Sequence, residues 1–167
     1  MKTVEEDLLQ AKPRYQDAFF FPNEKNVDKI VTYLQKATKS LSICVFNLTS
    51  DKLANAIHDA HKRGVTVRVI SDDECMTNLG SDVKWLADQG IQVRTDDNKV
   101  NHMHNKFAVI DDTFLLTGSF NWTVAAGKGN QENVLIVDSP YYIEKYNAEF
   151  EYLWKSFLRN SVKGDQA

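Results

Sequence analysis

Hydrophobic positions along the chain switch between two rhythms. Within residues 23–38, Val27, Ile30, Val31 and Leu34 fall in steps of three and four, the spacing of one helical face. Residues 41–48 instead begin with the run Leu41-Ser42-Ile43-Cys44-Val45-Phe46, the pattern of a strand covered on both sides. A second helix is predicted over 51–63, with Ser50 placed to cap its start and Gly64 to stop it. The β-branched stretch 65–70 predicts a strand. Ser81 can cap a short helix that runs to Gln89 and ends at Gly90, before a strand over 91–95. Further strands are expected at 106–111, 113–117 and 133–137. Near the end, Ile143, Tyr146, Phe150, Leu153 and Phe157 form one apolar stripe on a helix, suited to core packing. Strands and helices alternate, which predicts an α/β fold, a sheet with helices on both faces.

Composition narrows this picture without changing it. A chain of 167 residues, 43% hydrophobic and 26% charged, is expected to form one domain whose core needs no disulfide staples. Of the two cysteines, Cys44 lies inside the apolar run, where a buried reduced thiol is expected, and nothing suggests a disulfide framework. No stretch approaches the roughly 20 apolar residues of a membrane helix, and the acidic first residues, 1–9, fit neither a secretory signal nor a transit peptide. A net charge of −3 offers no bulk attraction to polyanions. A polyanion would have to be held locally, and Arg94, Lys99, Lys106 and Lys128 are the cations available for that.

The chemistry concentrates between His104 and Glu132. In a strand, His104 and Lys106 point to the same side, so an imidazole and a cation share one face. Asp111, seven residues from His104, falls on the opposite face and is expected to fix local structure. His102 stands two before His104, but no acidic or cysteine partner lies at a familiar ligand spacing, so no metal site is expected and His102 is placed near the site entrance as a substrate-binding candidate. Gly127-Lys128-Gly129 lacks the longer phosphate-loop pattern and predicts a flexible loop, with Lys128 a second substrate-binding candidate. Trp122, the third, can stack a base beside the site or pack beneath it. His58 and His61, on a predicted helix, are ordinary surface or core residues.

His104-x-Lys106 followed by Asp111, and then Gly118-Ser119-Phe120-Asn121, resembles the signature of the phospholipase D superfamily. The likeness is stronger to its single-motif branch, the Zucchini or mitochondrial cardiolipin hydrolase group, through Met103-His104-Asn105-Lys106-Phe107-Ala108-Val109, Gly118-Ser119-Phe120-Asn121-Trp122-Thr123 and Glu132-Asn133-Val134-Leu135-Ile136. It runs from about Phe19 to Phe157, so residues 19–160 are expected to form the catalytic domain, 1–18 an N-terminal extension and 161–167 a C-terminal tail.

The resemblance implies an α/β/α sandwich with a mixed central sheet. It also implies a phosphodiesterase that needs no metal and no cofactor. In it His104 is the nucleophile that forms a phosphohistidine, Lys106 and Asn121 bind the nonbridging oxygens, Ser119 shares their hydrogen bonds, and Glu132 orients the imidazole. A single copy of the motif implies a homodimer with a shared active site, the second His104 serving first as acid and then as base. The family contains both nucleases and lipid hydrolases. An endonuclease acting on single-stranded RNA or DNA is the first expectation, hydrolysis of cardiolipin or another phosphatidyl lipid the second, and a non-catalytic scaffold the third. Animal Zucchini relatives carry a zinc-binding insert between the first strand and first helix. Here Phe21-Pro22-Asn23-Glu24-Lys25 runs straight on with no Cys or His, so substrate must be gripped in another way. An intracellular location is expected, and a mitochondrial one only where a membrane anchor precedes this segment.

Overall fold

In a computed structural model describing residues 3, 6, 13–77, 80–98 and 100–164, two kinds of strand pairing divide the sheet. Strands β2 (Ser40–Val45), β4 (Thr66–Ser71) and β5 (Gln92–Thr95) run parallel, with Cys44 opposite Ile70 and Ser71 opposite Thr95. Parallel neighbours need crossovers. Helices α1 (Glu24–Gln35) and α2 (Asp51–Lys62) flank β2, and the short α3 (Val83–Asp88) precedes β5. On the other side of β2, strands β6 (Lys106–Ile110), β7 (Phe114–Gly118), β9 (Glu132–Val137) and β1 (Gln16–Phe21) pair antiparallel in that order. With Ser161–Val162 (β10) on the far edge, the eight-stranded order β1-β9-β7-β6-β2-β4-β5-β10 is mixed, as the family resemblance implies.

Alternation along each strand separates two cores. In β2, Leu41, Ile43 and Val45 face α1 and α2, whose Ile30, Leu34, Leu53 and Ile57 are fully buried. Cys44 faces the opposite way, together with Phe107 and Val109 of β6, and meets Phe150 and Trp154 of α5 (Pro140–Ser156). Helix starts follow local chemistry. The Asn23 side chain accepts from the Lys25 amide at 3.1 Å, and Pro140 occupies the first turn of α5, where its missing N–H costs nothing. Gly64 ends α2 at φ 88°, a conformation open to glycine. Among the described residues no helix is long and apolar enough to cross a membrane.

Several boundaries differ from the sequence expectation. The strand expected over 41–48 stops at Val45, because its partner β6 begins opposite at Lys106. Leu48–Thr49 (β3) then pairs with Trp122–Thr123 (β8) in a separate two-stranded ribbon. Asp82 rather than Ser81 occupies the N-cap position of α3, without a side-chain capping bond. The expected loop at 127–129 is partly helical: Thr123 accepts from the Ala126 amide and starts α4 (Val124–Lys128). β1 begins at Gln16, inside the expected extension, and Ser161–Val162 of the expected tail forms β10 on the edge of β5. Residues 1–2, 4–5, 7–9 and Lys99 lie outside the described residues.

Candidate active site

One edge of the sheet collects His104, Lys106, Ser119 and Glu132. The parallel strands β2, β4 and β5 end there, delivering Phe46, Asp72 and Asp96 just past their last residues. β6 runs the other way, so it starts there, with Lys106 opposite Val45. β7 finishes there at Gly118 and β9 starts there at Glu132. Ligand sites in open α/β sheets favour this edge, outside the carboxyl ends of the parallel strands.

Lys106 ties the motif together. Its Nζ lies 3.2 Å from His104 Nδ1 and 3.4 Å from Nε2, and donates to the His104 carbonyl at 2.8 Å. Phe46 lies beneath them, its ring 4.7 Å from the imidazole centroid and 5.2 Å from Nζ. Burial lowers the His104 pKa from its ordinary value, and the Lys106 cation and His102 lower it further, against the opposing pull of Asp72. The ring is thus held toward the neutral form a nucleophile needs. Burial also lowers the Lys106 pKa, while Glu132 acts in the opposite direction.

The second half of the motif is built by a tight approach of β7 and β9. A Cβ on Gly118 would overlap the Asn133 carbonyl, so this backbone contact requires glycine. The Ser119 amide donates to the Asn133 carbonyl at 3.1 Å, and the Ser119 hydroxyl accepts from the Asn133 amide at 3.1 Å. That hydroxyl donates to Glu132, whose other carboxylate oxygen accepts from Asn130 at 3.2 Å. Within one chain, therefore, Glu132 meets Ser119 and Asn130, and Lys106 stands at the His104 ring nitrogens where Glu132 was expected. The side-chain oxygens of Asn121 and Asn47 are buried with no partner among the described residues. Asn121 is thus free of the protein's own hydrogen-bond network at that oxygen.

The remaining candidates separate. His102 is half exposed, with Nδ1 3.0 Å from the fully buried Asp72 carboxylate and its ring 5.6 Å from Phe46. Trp122 is completely buried in the ribbon formed by β3 and β8, so the base-stacking role is ruled out: no ligand can reach its face. Lys128 lines a cavity of about 300 Å3 with Glu24, Lys52 and Thr123, not the cleft that His104 lines. Arg94 is unsuited to hold a polyanion, because its guanidinium stacks 4.0 Å from Trp154 and donates to that residue's carbonyl. Asp111 follows the last residue of β6, at the opposite end of that strand from Lys106. Its carboxylate accepts from the backbone amides of Thr38, Lys39 and Ser40 and from the Thr38 hydroxyl. Burial pushes its pKa up, but those backbone bonds outweigh it and hold the carboxyl below its ordinary range.

Three residues escaped the sequence reading. Phe46 touches both motif residues, while Asp72 and Asp96 each accept from the Met103 amide, at 3.2 and 3.0 Å, fixing the backbone between the two histidines. Their position, just beyond the three parallel strand ends, was the available signal. Asp72, Asp73 and Asp96 bring carboxylate oxygens within 4.8 Å of one another, the one grouping among the described residues that could hold a cation. Asp72 and Asp96 already receive the amides of Glu74, Asp73 and Met103.

Comparison with known proteins agrees with this geometry. The family described as "Cardiolipin synthase, PLD-like domain" matches residues 30–154. A protein named mitochondrial cardiolipin hydrolase from Chlamydomonas reinhardtii is 41% identical over 132 residues, covering 79% of this chain and 59% of that protein. One of the same name from Danio rerio is 36% identical over 153 residues, covering 90% of this chain and 67% of its own length. The chain thus spans about three fifths of the first of these relatives. Nuc from Salmonella typhimurium, a phospholipase D family member of known structure, superposes with a TM-score of 0.80 at 26% identity, covering 86% of this chain and 95% of Nuc.

Proposed function

The chain belongs to the phospholipase D-like family, and from that footing we propose that it is a metal-independent phosphodiesterase that cleaves single-stranded nucleic acid through a phosphohistidine on His104. One observation carries this reading: the Lys106 cation lies within 3.4 Å of both ring nitrogens of an imidazole whose pKa is lowered by partial burial and by that cation. A phosphate oxygen drawn to Lys106 brings its phosphorus to the nucleophile.

The reaction has two displacements. A His104 ring nitrogen attacks phosphorus, the bond to the leaving oxygen breaks, and the second copy's His104 gives that oxygen its proton. Water then attacks, its proton passes to the second copy's histidine, and the P–N electron pair returns to the first ring. Lys106 and Asn121 stabilise charge on the nonbridging oxygens. Ser119 and Glu132 form a bonded pair at the neighbouring strand ends, which keeps that wall of the site rigid, and across the two-fold axis Glu132 is available to orient the facing imidazole. One chain supplies one motif imidazole and the cycle uses two, so the active species is a homodimer.

The cleft beside His104 carries four asparagine side chains, hydrogen-bond partners that a nucleic acid can use and a lipid tail cannot. A second reading, hydrolysis of cardiolipin or a related phosphatidyl lipid, is favoured by the names of the relatives and uses the same groups. The test is labelled single-stranded RNA or DNA, and in parallel cardiolipin vesicles, incubated in EDTA with wild type and His104→Asn. Nucleic-acid cleavage by wild type alone supports the first reading, lipid turnover alone the second. Loss of both activities on chelation contradicts the mechanism.

A further inference from the structure

The cleft that opens from His104 has a composition that its catalytic chemistry does not require. It holds about 610 Å3 between the loop after β5 and the end of α5. Four uncharged amides line its wall, Asn98, Asn101 and Asn105 from the loop and Asn160 from the turn after α5. Among the described residues, no hydrogen bond engages the side-chain amides of Asn101, Asn105 or Asn160. Leu153 and Phe157 form an apolar floor, partly buried against the α5 core. The charged groups that line it, apart from the histidines, are the carboxylates of Asp96 and Asp97. His102 stands at the junction with His104, its ring fixed from behind by the buried Asp72 carboxylate.

We infer that this cleft is a subsite for one nucleobase of the substrate strand, the base next to the phosphate held at His104. The assignment rests on the nuclease reading above and deepens it. A second phosphate would meet Asp96 and Asp97 with no lysine or arginine among the described lining residues to offset them, which disfavours the backbone there. A fatty acyl chain would leave the Asn101, Asn105 and Asn160 amides without partners, a desolvation cost that an apolar ligand cannot recover. A heteroaromatic base satisfies both walls at once. Its faces pack on Phe157 and the His102 ring, and its edge exchanges hydrogen bonds with amides that carry both donors and acceptors. Single-stranded substrate fits because its bases are free to leave the stack. The zinc-bearing insert of the animal relatives is then not needed to grip the strand on this side.

The test varies the substrate first. Two single-stranded oligonucleotides are compared, identical except that one carries an abasic tetrahydrofuran unit at a single position. The cleavage rate is measured at the two phosphates flanking that position. Loss of the base should slow cleavage at one of them by roughly ten-fold or more, the scale of one stacked base, while phosphates elsewhere in the strand are cut as before. Asn160→Ala should bring the ratio of the two rates at that phosphate toward one. A ratio of one with wild type, in a strand otherwise cleaved normally, overturns the subsite alone. Failure to cleave either oligonucleotide overturns the nuclease reading and the subsite with it.

Discussion

Replacing Asp111 with asparagine removes the charge and one of two acceptor oxygens without backbone strain, because asparagine tolerates the left-handed conformation (φ 53°) that this position adopts. The carboxylate accepts four hydrogen bonds, from the Thr38, Lys39 and Ser40 amides and the Thr38 hydroxyl, at 2.7 to 2.9 Å. A bond to a charged acceptor contributes roughly 1.5–3 kcal/mol and a neutral one roughly 0.5–1.5, so the bonds to the retained oxygen weaken by about 1 kcal/mol each, and a donor that faced the other oxygen now faces an NH2 group. Partial exposure screens some of this, leaving an expected loss of about 2–3 kcal/mol. For a chain of this size that lowers Tm by roughly 4–12 °C. The pH dependence has a definite sign. Asp111 has a depressed pKa in the fold, so its contribution is complete above the ordinary carboxylate value of about 3.9 and fades as pH falls through the lower folded value. The gap between wild type and variant in urea unfolding should therefore be constant near neutrality and close in acid. Turnover per folded molecule should be unchanged. A variant of wild-type stability that has lost turnover would refute the reasoning and move Asp111 into the chemistry.

Lys106→Gln should reduce kcat/KM by roughly 100- to 1000-fold, the scale of one lost charge-stabilising donor. It should also shift the acidic limb of the pH–rate profile. Wild type should hold activity below the ordinary histidine pKa of about 6.5, because burial and Lys106 both lower the His104 pKa, and removing the cation should move the limb upward. An unmoved limb would separate Lys106 from the nucleophile. Gly118→Ala forces a Cβ onto the Asn133 carbonyl and should cost about 1–3 kcal/mol in urea unfolding. Wild-type stability there would contradict the close pairing of β7 and β9.

The layered α/β architecture and the motif could be read from sequence because both are local patterns. The apolar run at Leu41–Phe46 and the His104–Lys106 spacing carry their own period. What could not be read depends on register. Nothing local says that β2 stops at Val45 because β6 starts opposite it, yet that register puts Phe46 beneath His104. Asp72 and Asp96 look like ordinary acidic residues after strands until parallel pairing sets them beside Met103. Trp122 follows the motif directly and looks available, but the ribbon with Leu48–Thr49 turns it fully inward. Ser161–Val162 forms a strand only because β5 offers a free edge.

The covalent intermediate is the most direct point of attack. Enzyme mixed in EDTA with a single-stranded substrate carrying radioactive phosphorus at the cleaved position, then quenched within one turnover, should carry acid-labile label on His104 alone, and His104→Asn should carry none. Full cleavage with no label on the protein, or with label on any other residue, would contradict the account.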